Sequence, residues 1–330
     1  MNDLLSVENL TIEFKNGKEP NQVVRDLSFN LKHGETVGIV GESGCGKSVT
    51  SLAIMGLIPS PAGKVSSGKI MFNNQNLLKL NKRSLRQLRG KEIAMIFQDP
   101  MGTLDPAFKV GYQIDEVLKI HTNLRKKQIK TKSIELLKAV GIPSPEQRYN
   151  QFPHELSGGM RQRVVIAMAL ACDPKLLIAD EPTTALDVTV QAQILDLLNE
   201  LKIKFNTSII MISHDIGVVA ETCNRVIVMY AGQIVEEASV KDLFDYAIHP
   251  YTQGLLKSVP KINSNLNKLH SIPGNLPSPE EMPEGCSFYP RCSFATVKCK
   301  NQEPSLENFK ENHYVKCWNI DDVLEKNRGD

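Results

Sequence analysis

A chain of 330 residues exceeds one ordinary hydrophobic core, so a main domain with a smaller appendage is expected. Hydrophobic residues at 41% and charged residues at 23% exclude a largely disordered chain. The 39 basic and 37 acidic side chains nearly cancel, so no bulk field recruits nucleic acid as a partner. The longest apolar stretches, such as 164–172, reach about half the length of a membrane-spanning helix. Residues 1–10 carry Asn2, Asp3 and Glu8 where an export signal would be basic and then apolar, so a cytosolic protein is expected.

Along the chain, residues 4–14 and 23–31 alternate and predict an antiparallel edge. Residues 36–40 (TVGIV), 92–97 (EIAMIF), 176–179 (LLIA), 208–212 (SIIMI) and 225–229 (RVIVM) read as buried strands. Separated by helical patterns, they give the βαβ rhythm of an α/β protein with a parallel sheet. Lys79, Lys82, Arg83, Arg86, Arg89 and Lys91, interleaved with leucines, read as the solvated face of an amphipathic helix. Residues 101–172 show apolar spacings of three and four only, an all-helical insert. After His249 recurrent prolines predict a loop-rich tail.

The run Gly41-Glu42-Ser43-Gly44-Cys45-Gly46-Lys47-Ser48 follows the strand TVGIV and precedes the helical pattern that begins at Val49, which matches a P-loop in letters and in context. Its glycines let successive N–H groups turn inward, and the helix that follows adds the positive end of its dipole. Lys47 then reaches the β- and γ-phosphates of ATP, and the Ser48 hydroxyl ligates Mg²⁺. The strand LLIA ends in Asp180 and Glu181, where an open α/β sheet presents its ligand groups. Asp180 is expected in the Mg²⁺ shell and Glu181 beside the attacking water.

Leu156-Ser157-Gly158-Gly159-Met160 stands ahead of a helix and 20 residues before that strand. Ser157 can cap a helix whose first N–H groups, freed by Gly158 and Gly159, bind an anion, a second phosphate site. The motif resembles the signature of ATP-binding cassette (ABC) ATPases. Met160, where most members carry Gln, resembles the peptide and nickel importer subgroup. The resemblance implies a P-loop NTPase core, RecA-like, with an antiparallel β edge and a helical subdomain. It also implies a head-to-tail pair of ATPases, each signature closing over the other's nucleotide. On the same resemblance Gln98 matches the Q-loop, which contacts Mg²⁺ or water. Thr184-Ala-Leu-Asp187 matches the D-loop, with Asp187 at the dimer interface, and His214 matches the switch histidine at the γ-phosphate. Phe14 is an adenine-stacking residue or a core phenylalanine. Singly, Gln98 also reads as a strand-end polar group, Asp187 as a helix cap and His214 as a loop residue; their order from Gly41 to His214 carries the assignment.

His249-Pro-Tyr251-Thr-Gln-Gly-Leu-Leu256 and Cys286-Ser-Phe-Tyr-Pro-Arg-Cys292 resemble the C-terminal extension of dipeptide and oligopeptide importer ATPases. Domains of 1–248 and 249–330 follow. Cys286, Cys292, Cys299 and Cys317, separated by five, six and seventeen residues, form a candidate metal centre that would organise a segment too irregular for its own core. Spacing alone leaves an iron-sulfur cluster, zinc and unliganded thiols open. The resemblance favours a [4Fe-4S] cluster, with zinc next and disulfides third. The resemblance further implies two integral membrane permeases, a second ATPase subunit, identical or paralogous, and an extracytoplasmic solute-binding protein, with the chain peripheral at the cytoplasmic face. Short peptides are the expected cargo, with nickel or another small solute as the alternative. A non-transport ABC ATPase predicts a second cassette or a long coiled-coil insertion, and the sequence contains neither. ATP binding is expected to survive removal of residues 257–330.

Overall fold

Alternating apolar side chains give the N-terminal segment one dry face. β1 (Leu5–Lys15) buries Leu5, Val7, Leu10 and Ile12 and runs antiparallel to β2 (Pro20–Leu31). The structure, a computed structural model, describes residues 3–15, 20–184, 186–258 and 272–329. The chain divides into two units, one comprising residues 1–31, 36–78 and 212–330, the other 32–35 and 79–211. In the first unit β3 (Thr36–Val40) is buried at every position, as its unbroken apolar sequence requires, and leads towards α1 (Lys47–Ile54). β4 (Gly63–Phe72) pairs with the other edge of β1, and β5 (Gln75–Asn76) completes a sheet ordered β2-β1-β4-β5.

The second unit carries the helices. The basic cluster falls largely on α2 (Lys82–Leu88), capped by Asn81 and burying none of its residues, as a solvated face should. β6 (Ile93–Ile96) is followed by α3 (Pro100–Thr103), α4 (Val110–His121), α5 (Lys126–Ala139), α6 (Pro145–Arg148) and α7 (Gly158–Ala169), with no strand among the described residues of this stretch. Ile114, Leu118, Leu136 and Leu137 form the dry stripes of α4 and α5. Asp115 receives the hydroxyls of Ser133 and Tyr149, both at 2.6 Å, which fixes α4 against α5 and the residue that ends α6. β7 (Leu176–Asp180) lies parallel to β6 with Ile93 opposite Leu176. α8 (Val188–Phe205) ends at Asn206 in the left-handed conformation, and β8 (Ser208–Ser213) follows it.

Back in the first unit come α9 (Ile216–Thr222) and β9 (Arg225–Tyr230), which is parallel to β3. β10 (Gln233–Ser239), α10 (Val240–Tyr246), α11 (Pro250–Lys257), α12 (Val297–Asn301), β11 (Glu307–Lys310), β12 (His313–Val315) and α13 (Ile320–Gly329) complete the chain. The second sheet of this unit includes the order β3-β9-β10-β12-β11. The prolines predicted a tail made of loops, yet two tail strands extend this sheet through β10. The sequence reading passed over β10 because Glu236 and Glu237 interrupt its apolar run. Tertiary partners make those carboxylates tolerable. Glu236, fully buried, accepts the backbone N–H groups of Ile248 and His249 and pairs with His313 Nε2 at 2.8 Å. Glu237 pairs with Arg225. Tail residues 259–271, including Pro260, lie outside the described residues.

Candidate functional site

The phosphate loop belongs to the first unit. β3 delivers the chain to Gly41, whose φ of 154° and lack of Cβ are both required: a methyl there would stand 2.2 Å from the Met229 carbonyl oxygen. Gly46 at φ 103° precedes α1 and offers no side-chain cap, so the first N–H groups of that helix are available to an anion. Lys47 is 5% exposed, and its ammonium donates to the Gly41 and Glu42 carbonyls at 2.7 and 3.0 Å and lies 3.7 Å from Cys45 Sγ. Ser43, Gly44 and Ser48 are exposed and Val49 is half-buried. Burial pushes the Cys45 thiol up, with Lys47 opposing, which keeps it neutral and unreactive.

Glu42 is held on three sides. Its N–H donates to the Tyr251 hydroxyl at 2.8 Å, its carbonyl accepts Lys47, and its two carboxylate oxygens accept the two terminal nitrogens of Arg291 at 2.9 and 3.0 Å. Nothing in the sequence marked Tyr251 or Arg291 as neighbours of the loop. Phe14 is half-buried, with its ring edge close against Gly63, where an added Cβ would meet Cε1 at 2.7 Å. His214 is exposed directly after β8, next to Asp215, which caps α9.

The second unit holds the strand-end carboxylates. Asp180, at the end of β7, is 5% exposed, and Glu181 follows in the left-handed region at φ 48°. Because β6 and β7 are parallel, their C-terminal ends adjoin, and this brings Gln98 to Glu181 across 83 residues of sequence. Gln98 Nε2 and the Thr184 hydroxyl both donate to Glu181 Oε2, at 2.8 and 2.9 Å. Two donors on one oxygen fix the orientation of the side chain. Ser157 caps α7, accepting from the Met160 N–H at 3.4 Å, and Gly158 and Gly159 open that helix. A Cβ at Gly159 would lie 2.8 Å from Val190 Cγ1, so the small residue lets the turn lie close against α8. Asp187 caps α8 through the Val190 N–H at 2.9 Å. Gln162, overlooked in the sequence, is 1% exposed and donates to the Pro182 carbonyl at 2.6 Å, tying α7 to the residue after Glu181.

In the tail, Cys286, Cys292, Cys299 and Cys317 are free thiols, as are the other three cysteines. Burial, with neighbouring cysteines of the set adding to it, raises the Cys292 thiol to about 11 and the Cys317 thiol to about 12. The Asn319 N–H donates to Cys317 Sγ at 3.4 Å, and the Asn319 side-chain amide donates to Cys299 Sγ at 3.5 Å. Among the described residues no group of three or more His, Cys, Asp or Glu is arranged to hold a metal ion.

No helix among the described residues is long and apolar enough to cross a membrane. Residues 24–184 match the ABC transporter family, and residues 235–299 match the oligopeptide/dipeptide transporter C-terminal region. The oligopeptide transport ATP-binding protein AppD of Bacillus subtilis is 51% identical over 96% of this chain and 97% of its own length. The dipeptide transport ATP-binding protein DppD of Escherichia coli is 49% identical over 97% of this chain and 98% of its own. Among solved structures, the ATP-binding cassette MJ0796, a post-hydrolysis dimer bound to ADP and phosphate, covers 72% of this chain and 98% of its own at 28% identity and a TM-score of 0.64. A chain with the ABC ATPase fold that aligns along nearly its whole length, tail included, with these transport proteins belongs to the oligopeptide and dipeptide family of ABC transporter ATP-binding subunits.

Proposed function

We propose that this chain energises the import of di- or oligopeptides, working at the cytoplasmic face of the membrane with a second ATPase subunit, two integral permeases and an extracytoplasmic solute-binding protein. The observation that carries this reading is the alignment of the tail as well as the cassette with peptide-transport subunits. A strain lacking the gene is expected to stop growing on short peptides as sole amino-acid source and to recover with the wild-type chain. Growth on peptides without the gene, together with lost nickel uptake, would transfer the same motor to the other cargo.

Within the cassette, Gly41 to Val49 hold ATP, with Lys47 on its terminal phosphates. Gln98, Glu181 and His214 serve hydrolysis, Glu181 as the acceptor of the water proton. Mg²⁺ is assigned to Ser48, Asp180 and Gln98 on the chemistry of their motifs alone; the ion would neutralise developing phosphate charge. Ser157 to Met160 meet the partner subunit's nucleotide, Asp187 lies at that interface, and Phe14 stacks on adenine. Two half-sites closing on one nucleotide supply the positioning and charge neutralisation that phosphoryl transfer needs.

Cys286, Cys292, Cys299 and Cys317 hold a [4Fe-4S] cluster, which would cross-link the tail from four points. The crowding of four cysteines into a tail too irregular for its own core supports this. Anaerobically purified protein is expected to be brown, with a broad absorbance near about 400 nm that disappears in the Cys299→Ser variant. A colourless preparation with stoichiometric zinc would overturn the cluster.

A further inference from the structure

We infer that Arg291 of the tail is a positioning residue for ATP, acting through the phosphate loop: it neutralises and orients the Glu42 carboxylate so that the loop can accept a triphosphate. The inference rests on the reading of Gly41 to Ser48 as the ATP loop. The sequence places a glutamate second in a loop that must attract a highly charged anion. An uncompensated carboxylate there would repel the ligand through a partly desolvated medium. The structure supplies compensation from 249 residues away, as a bidentate guanidinium-carboxylate pair. The Arg291 side chain is 5% exposed and that of Glu42 28%, so solvent reaches the pair from the carboxylate side only.

Arg291 is itself fixed. Its Nε donates to the Pro273 carbonyl at 2.8 Å, and its guanidinium lies 5.7 and 5.9 Å from the ring centres of Tyr230 and Phe288. Those rings pack with Tyr251, whose hydroxyl takes the Glu42 N–H. Phe288, Cys286 and Cys292 pack into the same apolar cluster as Val40, the last residue of the strand that feeds the loop. Arg291 directly precedes Cys292, so whatever orders the four cysteines also orders the arginine. The tail is thus part of the wall of the phosphate loop, so ATP binding, which the sequence alone expects to survive removal of residues 257–330, should instead weaken without them.

The test uses the full chain in a Glu181→Gln background, with binding of radiolabelled ATP measured at equilibrium in Mg²⁺. Arg291→Gln is expected to weaken binding by roughly tenfold or more, because it leaves a charged carboxylate beside the phosphates. Glu42→Gln added to Arg291→Gln is expected to recover most of the loss, since it removes the orphaned charge. Arg291→Lys should fall between, keeping the charge without the fork. Thermal melting and the absorbance of the cysteine centre report whether each variant folds, and a disordered tail would not be rescued by a change at residue 42. Unchanged binding in Arg291→Gln overturns the inference, and so does a double variant as weak as the single one. Lys47→Ala separates this from the parent reading: if it binds ATP normally, the loop itself is misassigned.

Discussion

Glu181→Gln is expected to keep Mg·ATP binding near wild type while lowering turnover by about a hundredfold to ten-thousandfold, the range a positioned general base supplies. Gln98 and Thr184 both donate to one oxygen of this carboxylate. Glutamine is isosteric and can turn its carbonyl oxygen towards the same two donors, so the local geometry should persist. What disappears is the negative charge and its ability to take a proton. A fall in kcat with ATP affinity intact is therefore the signature, read from steady-state phosphate release beside equilibrium ATP binding. Normal hydrolysis in the variant would remove Glu181 from its role and leave the two donors as a structural clasp. Gln98→Ala should show a milder fall, because the Thr184 hydroxyl still orients the carboxylate.

The second large effect is expected at Gly41. In Gly41→Ala the new methyl would sit 2.2 Å from the Met229 carbonyl oxygen and 2.8 Å from Cys45 Sγ, at a φ of 154°. Met229 lies within β9, a buried strand held by pairs on both of its edges, so its carbonyl cannot withdraw cheaply. The backbone strain and overpacking together should destabilise the protein by about 3 kcal/mol or more. Denaturant unfolding should show the loss, and ATP binding should vanish because the loop must move to relieve the clash. Gly44→Ala makes the informative contrast. Its Cβ meets only Leu276 at 3.7 Å, so the left-handed φ of 84° is the sole penalty and the loss should be smaller. Equal stability of Gly41→Ala and wild type would show that this close approach does not exist in solution.

Much of the cassette was legible because its chemistry is local. A glycine-rich run between an apolar strand and a helix can be read from adjacent residues, since the loop's function depends on its own backbone. Ser157 as a helix cap was legible for the same reason. The buried strands were found where an apolar run carries at most a polar residue at its end, as in β3 and β7. β10 was missed because buried glutamates contradict the hydrophobic pattern, and only the N–H groups of Ile248 and His249, the imidazole of His313 and the guanidinium of Arg225 make them acceptable.

By itself the sequence determined the motif order, the α/β class, the helical stretch and the cysteine set, because each depends on periodicity or on residues close in the chain. Tertiary structure alone decided that Gln98 and Thr184 share an oxygen of Glu181 and that the tail strands join the sheet through β10. It also decided that Arg291 and Tyr251 grip Glu42. These contacts join residues far apart in the chain, and no local propensity encodes them. They form because a buried charge or N–H must find its partner somewhere in the folded chain.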